Sequence, residues 1–377
     1  MHSTRPAWPL VVALFSAFFT QDTPAQTAAP SAPQAKAVMT DSTVAALAGS
    51  KRVVISSLVL SFQASIGDKT SSQGLFNHKV GTSVTLQMPD MDTALLGGMA
   101  DEIYAQLRAD LQEGGFEVLP EAELLANSSY QKILKLAGFS NFSKWGNLHG
   151  ETLLVAPTAL KPYMPYDMET GKFPRPAKFL IKDWFKGIIK ASSTEGGPTG
   201  TLAGSVYELP ALEVALAKEL NAHLVKATYV VTLGASKASE ERLGQNVELK
   251  GAVRAQTGLL PGQTRIAFRS LSASPKGESS SNSYAANFGE NAPPSKDGDV
   301  VVALGDGLVG GTSYFSVDDE PVKGNTLLGG LISGFGMTGA AKQFVFTATI
   351  VDPAAYRRDV MNLLRASQKE LVTVVKR

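Results

Sequence analysis

Apolar residues recur every three or four positions in two long stretches of the chain, the spacing of an amphipathic helix. The first stretch covers residues 92–113, where Asp92 is placed to cap the helix and the Gly114-Gly115 pair to end it. The second begins at Pro353, directly after Asp352. Both stripes are expected to face a core; they consist of Leu96, Met99, Ile103, Leu107 and Leu111, and of Tyr356, Val360, Leu363, Leu364, Leu371 and Val375.

Shorter apolar runs, several of them rich in β-branched residues, predict strands between these helices. Strands are predicted at 51–62, 80–88, 116–119, 151–157, 227–236, 300–304 and 344–352, and further helices at 120–138, at 179–190 and from Pro210. Residues 247–271 are predicted to form a hairpin with its turn at 257–264. The order strand, helix, strand, helix predicts an α/β (α+β) fold, in which helices pack on a mixed β-sheet.

Polar, proline-rich and serine-rich stretches divide the chain. Residues 26–50 read as a flexible linker, and residues 51–377 as a single α/β domain. Loop insertions are expected near 160–205 and 272–299, where apolar periodicity is lost.

The first 25 residues have the order of a secretory signal peptide. A short basic start is followed by an apolar run at 9–19, and small residues precede a cleavage point after Ala25. That run is too short for a membrane span, which needs roughly 20 apolar residues. We expect export to a bacterial periplasm or to the extracellular side, with the mature chain beginning near Gln26.

The composition excludes several classes of function. The chain of 377 residues contains no cysteine, so disulfides, thiolate metal sites, a cysteine nucleophile and a lipoprotein anchor are ruled out. Its net charge of +1 argues against broad nucleic-acid binding, which draws on a strongly basic surface. With 44% hydrophobic residues the chain has enough apolar side chains to build a stable core without disulfide bonds.

No recognisable catalytic pattern is present. A G-x-G-x-x-G match at 305–310 follows a strand, but the next residues read as another strand rather than the helix that a dinucleotide site needs. His78, His149 and His223 lack metal-ligand spacing, and no G-x-S-x-G elbow occurs. We therefore assign no catalytic, cofactor-binding or metal residues, and a non-enzymatic role is favoured.

Three short stretches resemble a known group of exported domains. They are AKELNA at 217–222, YVV at 229–231 and the Thr-Gly pair at 257–258. These residues resemble the periplasmic α/β domains of the curli secretion channel (CsgG-like) family and the N-terminal domain of TolB. The resemblance implies an exported domain with a role in transport or secretion. The chain departs from the group in lacking a lipidation cysteine and in its regions 160–205 and 272–340.

One segment, residues 325–341, is apolar and rich in glycine, with no charged side chain. It is either a buried crossover or an apolar surface that meets a partner protein or a membrane. Its candidate interface residues are Leu327, Leu328, Leu331, Ile332, Phe335 and Met337.

These observations predict an exported cell-envelope protein that acts by binding or assembly, with an envelope protein or a second copy as partner. Two alternatives stay open. One is a secreted hydrolase whose site is invisible in the sequence, and the other is a membrane-inserting, channel-type subunit.

Overall fold

The protein is described by a computed structural model. The described residues are 37–41, 47, 50–73, 79–147, 150–163, 175–176, 209, 211–243, 246–271, 299–320 and 341–376. They belong to one compact unit, Pro33–Arg377. The predicted signal peptide, the helix at 179–190, most of both loop insertions and all six candidate interface residues lie outside the described residues.

The described part of the chain alternates between strands and helices. The strands are β1 (Ala37–Asp41), β2 (Arg52–Gln63), β3 (Ser65–Gln73), β4 (Lys79–Gln87), β5 (Glu117–Val118), β6 (Phe142–Asn147), β7 (Gly150–Val155), β8 (Arg175–Pro176), β9 (His223–Leu243), β10 (Asn246–Leu259), β11 (Arg265–Arg269), β12 (Asp299–Leu304), β13 (Leu308–Val309), β14 (Phe315–Glu320) and β15 (Ala341–Ile350). The helices are α1 (Thr93–Glu113), α2 (Glu121–Ala126), α3 (Ser128–Ala137), α4 (211–220) and α5 (Pro353–Lys376).

The main sheet is mixed, and this confirms the predicted fold class. Its principal strand order is β1-β12-β11-β9-β2-β7-β6-β8. The central pair, β2 and β9, is parallel, whereas β9 pairs antiparallel with β11 and β10. Because β2 is covered on both faces, its residues 53–60 are all buried, as a continuous apolar run predicts.

Helices α1 and α5 bury their apolar stripes in the same core as β2 and β9. Every predicted stripe residue of both helices is buried, and the Asp92 side chain caps α1 by accepting from the N–H groups of Ala94 and Leu95. A hydrogen bond also joins the two helices to each other, since the buried Gln368 Nε2 donates to Asp110 Oδ2 at 2.7 Å. The two longest helical predictions are thus confirmed.

A second sheet of four strands has the order β14-β15-β4-β3. Its central pair, β15 and β4, is parallel, and its outer pairs are antiparallel. Its apolar side forms a separate small core with β9 and β10, made of Val84, Leu86, Met88, Leu233, Ala238, Ala255, Phe346 and Ala348.

The structure corrects four details of the sequence prediction. Part of the predicted flexible linker at 26–50, Ala37–Asp41, forms β1, which pairs antiparallel with β12 at the edge of the main sheet. The helix predicted at 120–138 is two helices, because Asn127 ends α2 and its side chain then caps α3. The hairpin predicted at 247–271 is wrong: β10 and β11 do not pair with each other, and both pair antiparallel with β9, one after the other along the edge opposite β2. The Thr257-Gly258 pair accordingly lies inside β10, at a bulge, rather than in a turn.

The leucines along α4, the helix predicted from Pro210, differ in their burial. Leu216 is fully buried, whereas Leu212 and Leu220 are partly exposed and pack at the margin of the core. The helix ends at Asn221, whose φ of 45° breaks the helical conformation.

Candidate functional site

Three hairpins run side by side and point the same way. One is β3–β4, one is β14–β15, and the third is the outer part of β9–β10, residues 233–243 and 246–255. We call these strands together the hairpin stack. Since β4 and β15 are parallel, the ends of both their hairpins lie at one pole, where the chain leaves β14 at Glu320 and returns into β15 at Ala341.

Contacts between the two layers place the third hairpin in the same direction. The N–H of Leu233 donates to Gln63 Oε1 at 3.4 Å, and five residues further along β9 the N–H of Ala238 donates to Asp68 Oδ2 at 2.9 Å. The two acceptors are also five residues apart, so β9 runs alongside the path from β2 into β3. The far end of β9–β10 therefore lies at the same pole as the other two.

The two faces of the four-stranded sheet differ in chemistry. Val84 and Leu86 of β4 face the covering hairpin and are fully buried. The alternate positions carry polar side chains, as in the pair Gln87 and Thr347, whose Nε2 and Oγ1 atoms are 3.4 Å apart. The stack is therefore a two-layer sandwich with an apolar interior and a polar outer face.

The edges of the hairpin stack are open within the described residues. β14 and β3 are the edge strands of the four-stranded sheet, and β10 has a second neighbour only at Gly258 and Leu259, where β13 pairs with it. Val317 on β14 is 39% exposed, one of the few large apolar side chains that reach solvent. Open edges present unpaired backbone groups to any chain that can add a strand.

The glycine motif at 305–310 has a packing role. Gly310 donates its N–H to the carbonyl of Thr257 at 2.9 Å, and a Cβ at position 310 would lie 2.2 Å from Thr257 Oγ1 and 2.3 Å from Asp359 Oδ2. The residues after it turn and enter β14, as the sequence predicts. Only glycine fits this close approach.

Asp359 on α5 gathers three donors at this point. Its Oδ2 accepts from Thr257 Oγ1 at 2.7 Å, from the Tyr314 hydroxyl at 2.6 Å and from the Gly311 N–H at 2.9 Å. The Thr257 and Tyr314 hydroxyls also lie directly beside each other. Burial and the neighbouring carboxylate raise the pKa of Tyr314, so this hydroxyl stays protonated. The cluster ties α5 to the base of the hairpin stack.

A buried ion cluster lies under α4. Glu213 is 2% exposed; its carboxylate accepts from Lys226 Nζ at 3.0 and 3.1 Å and lies 3.2 Å from Arg269 Nε. The Tyr163 hydroxyl donates to Glu213 and lies 3.0 Å from Ser56 Oγ. Burial alone would raise the pKa of Glu213, but the two cations outweigh it and hold that pKa below its usual value. The group joins α4 to three strands of the main sheet.

His223 is the one predicted histidine among the described residues, and it has both ring nitrogens in hydrogen bonds. Nδ1 accepts from the N–H of Leu271 at 3.0 Å, so Nε2 carries the proton and donates to the carbonyl of Ser50 at 3.2 Å. Burial lowers the pKa of His223, which favours this neutral form. The ring holds the start of β9 to its neighbours.

In the described part of the chain, the side chains of Asp359, Glu213 and His223 thus form hydrogen bonds that hold secondary-structure elements together. No group of three or more histidine or acidic side chains there could hold a metal ion. The hairpin pole, rather than any of these clusters, is where the candidate interface segment joins the described structure. The two strands that bound the segment, β14 and β15, are both in the stack.

Comparisons with protein-family models, with curated proteins and with solved structures gave no match. In the described part of the chain, none of the helices has the length and apolar character needed to cross a membrane.

Proposed function

We propose that this is an exported cell-envelope protein that acts by assembly, and that copies of the chain associate through the hairpin stack. The observation that carries the proposal is the convergence of three hairpins, from distant parts of the sequence, on one pole with open strand edges. The signal-peptide pattern of residues 1–25 supports the location.

The sandwich geometry supports strand addition as the mode of association. Both edge strands of the four-stranded sheet lack a strand neighbour within the described residues, and a second copy adds its strand at the β14 edge, where Val317 is exposed. Because the outer face of the four-stranded sheet is polar, we place the contact between copies at the strand edges and not on this face. The apolar segment 325–341, attached at the same pole, adds a further contact.

The chemistry of the polar clusters argues for binding rather than catalysis. Both carboxylate oxygens of Glu213, and Oδ2 of Asp359, accept from donors of the same chain. Each cluster joins secondary-structure elements that must hold the stack in place.

A pair of valine substitutions tests the proposal. Val317→Lys puts a long charged side chain on the β14 edge, where it opposes strand addition. Val351→Lys is the matched control, because Val351 is 60% exposed and lies just beyond β15. We expect Val317→Lys to abolish association in sedimentation, with an unchanged fold by circular dichroism, and Val351→Lys to associate normally. Association that survives Val317→Lys would remove the β14 edge from the interface.

Repeating the sedimentation of the unmodified mature protein with a mild detergent separates protein association from membrane contact. Association of copies gives a defined multiple of the protein mass in both conditions. If the pole contacts a membrane instead, only the detergent-bound form is monodisperse, and the channel-type alternative is favoured.

A further inference from the structure

The hairpin stack has one side on which both of its layers end in an open strand edge. β9 lies over β3 and β4, whereas β10 lies over β4, β15 and β14, so the edges of β10 and β14 are neighbours. Within the described residues, neither β14 nor residues 246–255 of β10 have a strand neighbour on this side. On the opposite side, backbone groups of β9 already donate to the side chains of Gln63 and Asp68.

The two open strands run in opposite directions. β14 runs towards the pole, where it ends at Glu320, and β10 runs away from the pole, because it follows the tip of the β9–β10 hairpin. Within one copy they lie in different layers and do not pair with each other. Their directions are those of an antiparallel ladder.

Each of the two edges carries one exposed charge on its outer face. On β10, Val253 and Ala255 pack in the small core, so Arg254 between them points outward, and it is exposed. On β14, Phe315 packs in that core, so by the same alternation Asp318 points outward, and it is exposed too. In the described part of the chain, neither charge has a salt-bridge partner.

The two charges also lie at the same distance from the pole. Gly251 of β10 is level with Phe344 of β15, since a Cβ at position 251 would lie 2.9 Å from the Phe344 ring. β10 and β15 both run away from the pole, so three residues further along Arg254 is level with Thr347. The partner of Thr347 on β14 is Asp318.

A twofold axis parallel to the strands, placed beside this open side, exchanges the two layers and keeps both strand direction and level. It therefore sets β14 of each copy beside β10 of the other, antiparallel and with both outer faces still towards solvent. Asp318 then lies directly opposite Arg254 of the second copy, and the exposed Val317 is covered by the added strand. Opposite charges directly across an antiparallel pair stabilise it.

We propose that two copies of the chain join in this way, with β14 of each paired to β10 of the other and Asp318 paired to Arg254 of the second copy. That the occupant of the β14 edge is a second copy rests on the proposed function. The charges, directions and levels add that the incoming strand is β10. They also set the number of copies at two, because the contact uses both open edges of each copy and closes on itself.

Charge reversal tests the pair of charges. Asp318→Arg and Arg254→Asp each put like charges opposite each other twice in the dimer, so each should raise the dissociation constant at least about tenfold in sedimentation velocity. Lys237→Asp is the matched control, because it changes the charge as Arg254→Asp does, at an exposed position on β9 one strand away from the edge. It should associate like the unmodified chain, and an effect equal to that of Arg254→Asp would contradict the specific pair.

Mixing the two weakened variants gives the sharper result. In a mixed pair the two reversed charges meet each other, and the natural Asp318 of one copy meets the natural Arg254 of the other. Equimolar Asp318→Arg and Arg254→Asp should therefore associate about as tightly as the unmodified chain. If the unmodified chain associates and Val317→Lys blocks it, but the mixture stays dissociated, the pairing with β10 is refuted and the proposed function stands. If the unmodified chain stays single at every concentration, both are refuted.

A disulfide locates the contact independently of affinity. Cα atoms directly opposite each other in an antiparallel pair are about 4.5–5.5 Å apart, which is within the span of a disulfide. Under a mild oxidant the double variant Asp318→Cys with Arg254→Cys should form a covalent dimer, and the natural chain has no cysteine to compete. Covalent chains longer than a dimer would refute the closed contact. Covalent dimers of Asp318→Cys alone would place β14 against β14 and refute the pairing with β10.

Discussion

Asp359 on the C-terminal helix accepts a hydrogen bond of 2.7 Å from Thr257 on β10, at the bulge where the β9–β10 hairpin leaves the main sheet. The bond joins the end of the chain to the base of the hairpin stack. The bond depends on glycine at position 310, because the side chain of any larger residue there would occupy the space between Thr257 and Asp359.

Replacing this glycine should therefore be costly. Gly310→Ala puts a Cβ within 2.3 Å of both Thr257 Oγ1 and Asp359 Oδ2, so we expect a loss of about 2–4 kcal/mol in the free energy of unfolding. Gly98→Ala is the control, because nothing lies within 4 Å of its Cβ and helix α1 should gain up to about 1 kcal/mol. Urea unfolding of both variants measures the difference, and equal stability of the two would contradict the packing described at Gly310.

The buried ion cluster should make the protein sensitive to the loss of one carboxylate. Glu213→Gln leaves Lys226 and Arg269 without its negative charge, so we expect a destabilisation of about 3–5 kcal/mol in urea unfolding. Glu219→Gln on the exposed side of the same helix should cost less than about 0.5 kcal/mol. A similar small cost for both would show that the cluster contributes little.

The same carboxylate predicts a pH dependence. The pKa of Glu213 is lower in the folded chain than its usual value of 4.5, so its contribution to stability is complete above that pH. As the pH falls below about 4.5, the unfolded chain takes up the proton first and the contribution is lost. As the pH falls from 7 to 3, the melting temperature of Glu213→Gln should therefore fall less than that of the unmodified protein. If both melting temperatures fall equally, groups other than Glu213 cause the acid sensitivity.

Two leucines of one helix test how α4 packs. Leu216→Ala should cost roughly 2–5 kcal/mol, because that side chain is 0% exposed. Leu220→Ala should cost less than about 2 kcal/mol, since Leu220 is only partly buried. The free energies of unfolding from urea titration give both values. A reversed order would mean that the helix presents a different face to the sheet.

A single substitution in the apolar segment 325–341 distinguishes a buried crossover from a surface that meets a partner. Leu331→Asp in a core position would bury an unpaired carboxylate and lower the stability of the single chain by several kcal/mol. We expect instead that stability stays nearly intact and association is lost, because we propose that the segment is part of the interface. Thermal unfolding and sedimentation of the variant measure both properties. A large fall in the melting temperature with unchanged association would identify the segment as core.

The sequence predicts those elements whose burial is periodic. The stripes of α1 and α5 and the apolar run of β2 depend on local spacing alone, and the structure confirms them. Pairing partners depend on residues far apart in sequence, so the Thr257-Gly258 pair was predicted at a turn although β10 continues through it. The strand predicted at 227–236 extends to residue 243 as β9, although residues 239–243, Ser-Glu-Glu-Arg-Leu, show no apolar alternation.

The polar clusters could not be predicted from the sequence, because they too join residues that are far apart in it. Glu213 meets Tyr163 and Arg269 across gaps of about 50 residues, and no motif spacing relates them. The glycine motif was predicted not to bind a nucleotide, but its contact with Asp359 follows only from the tertiary fold.

Sedimentation velocity of the mature chain over a range of concentrations tests the central claim most directly. If copies associate through the hairpin stack, the mass should rise reversibly from one copy to a defined multiple, and Val317→Lys should hold it at one copy. A single-copy mass at every concentration, with and without detergent, would contradict the account.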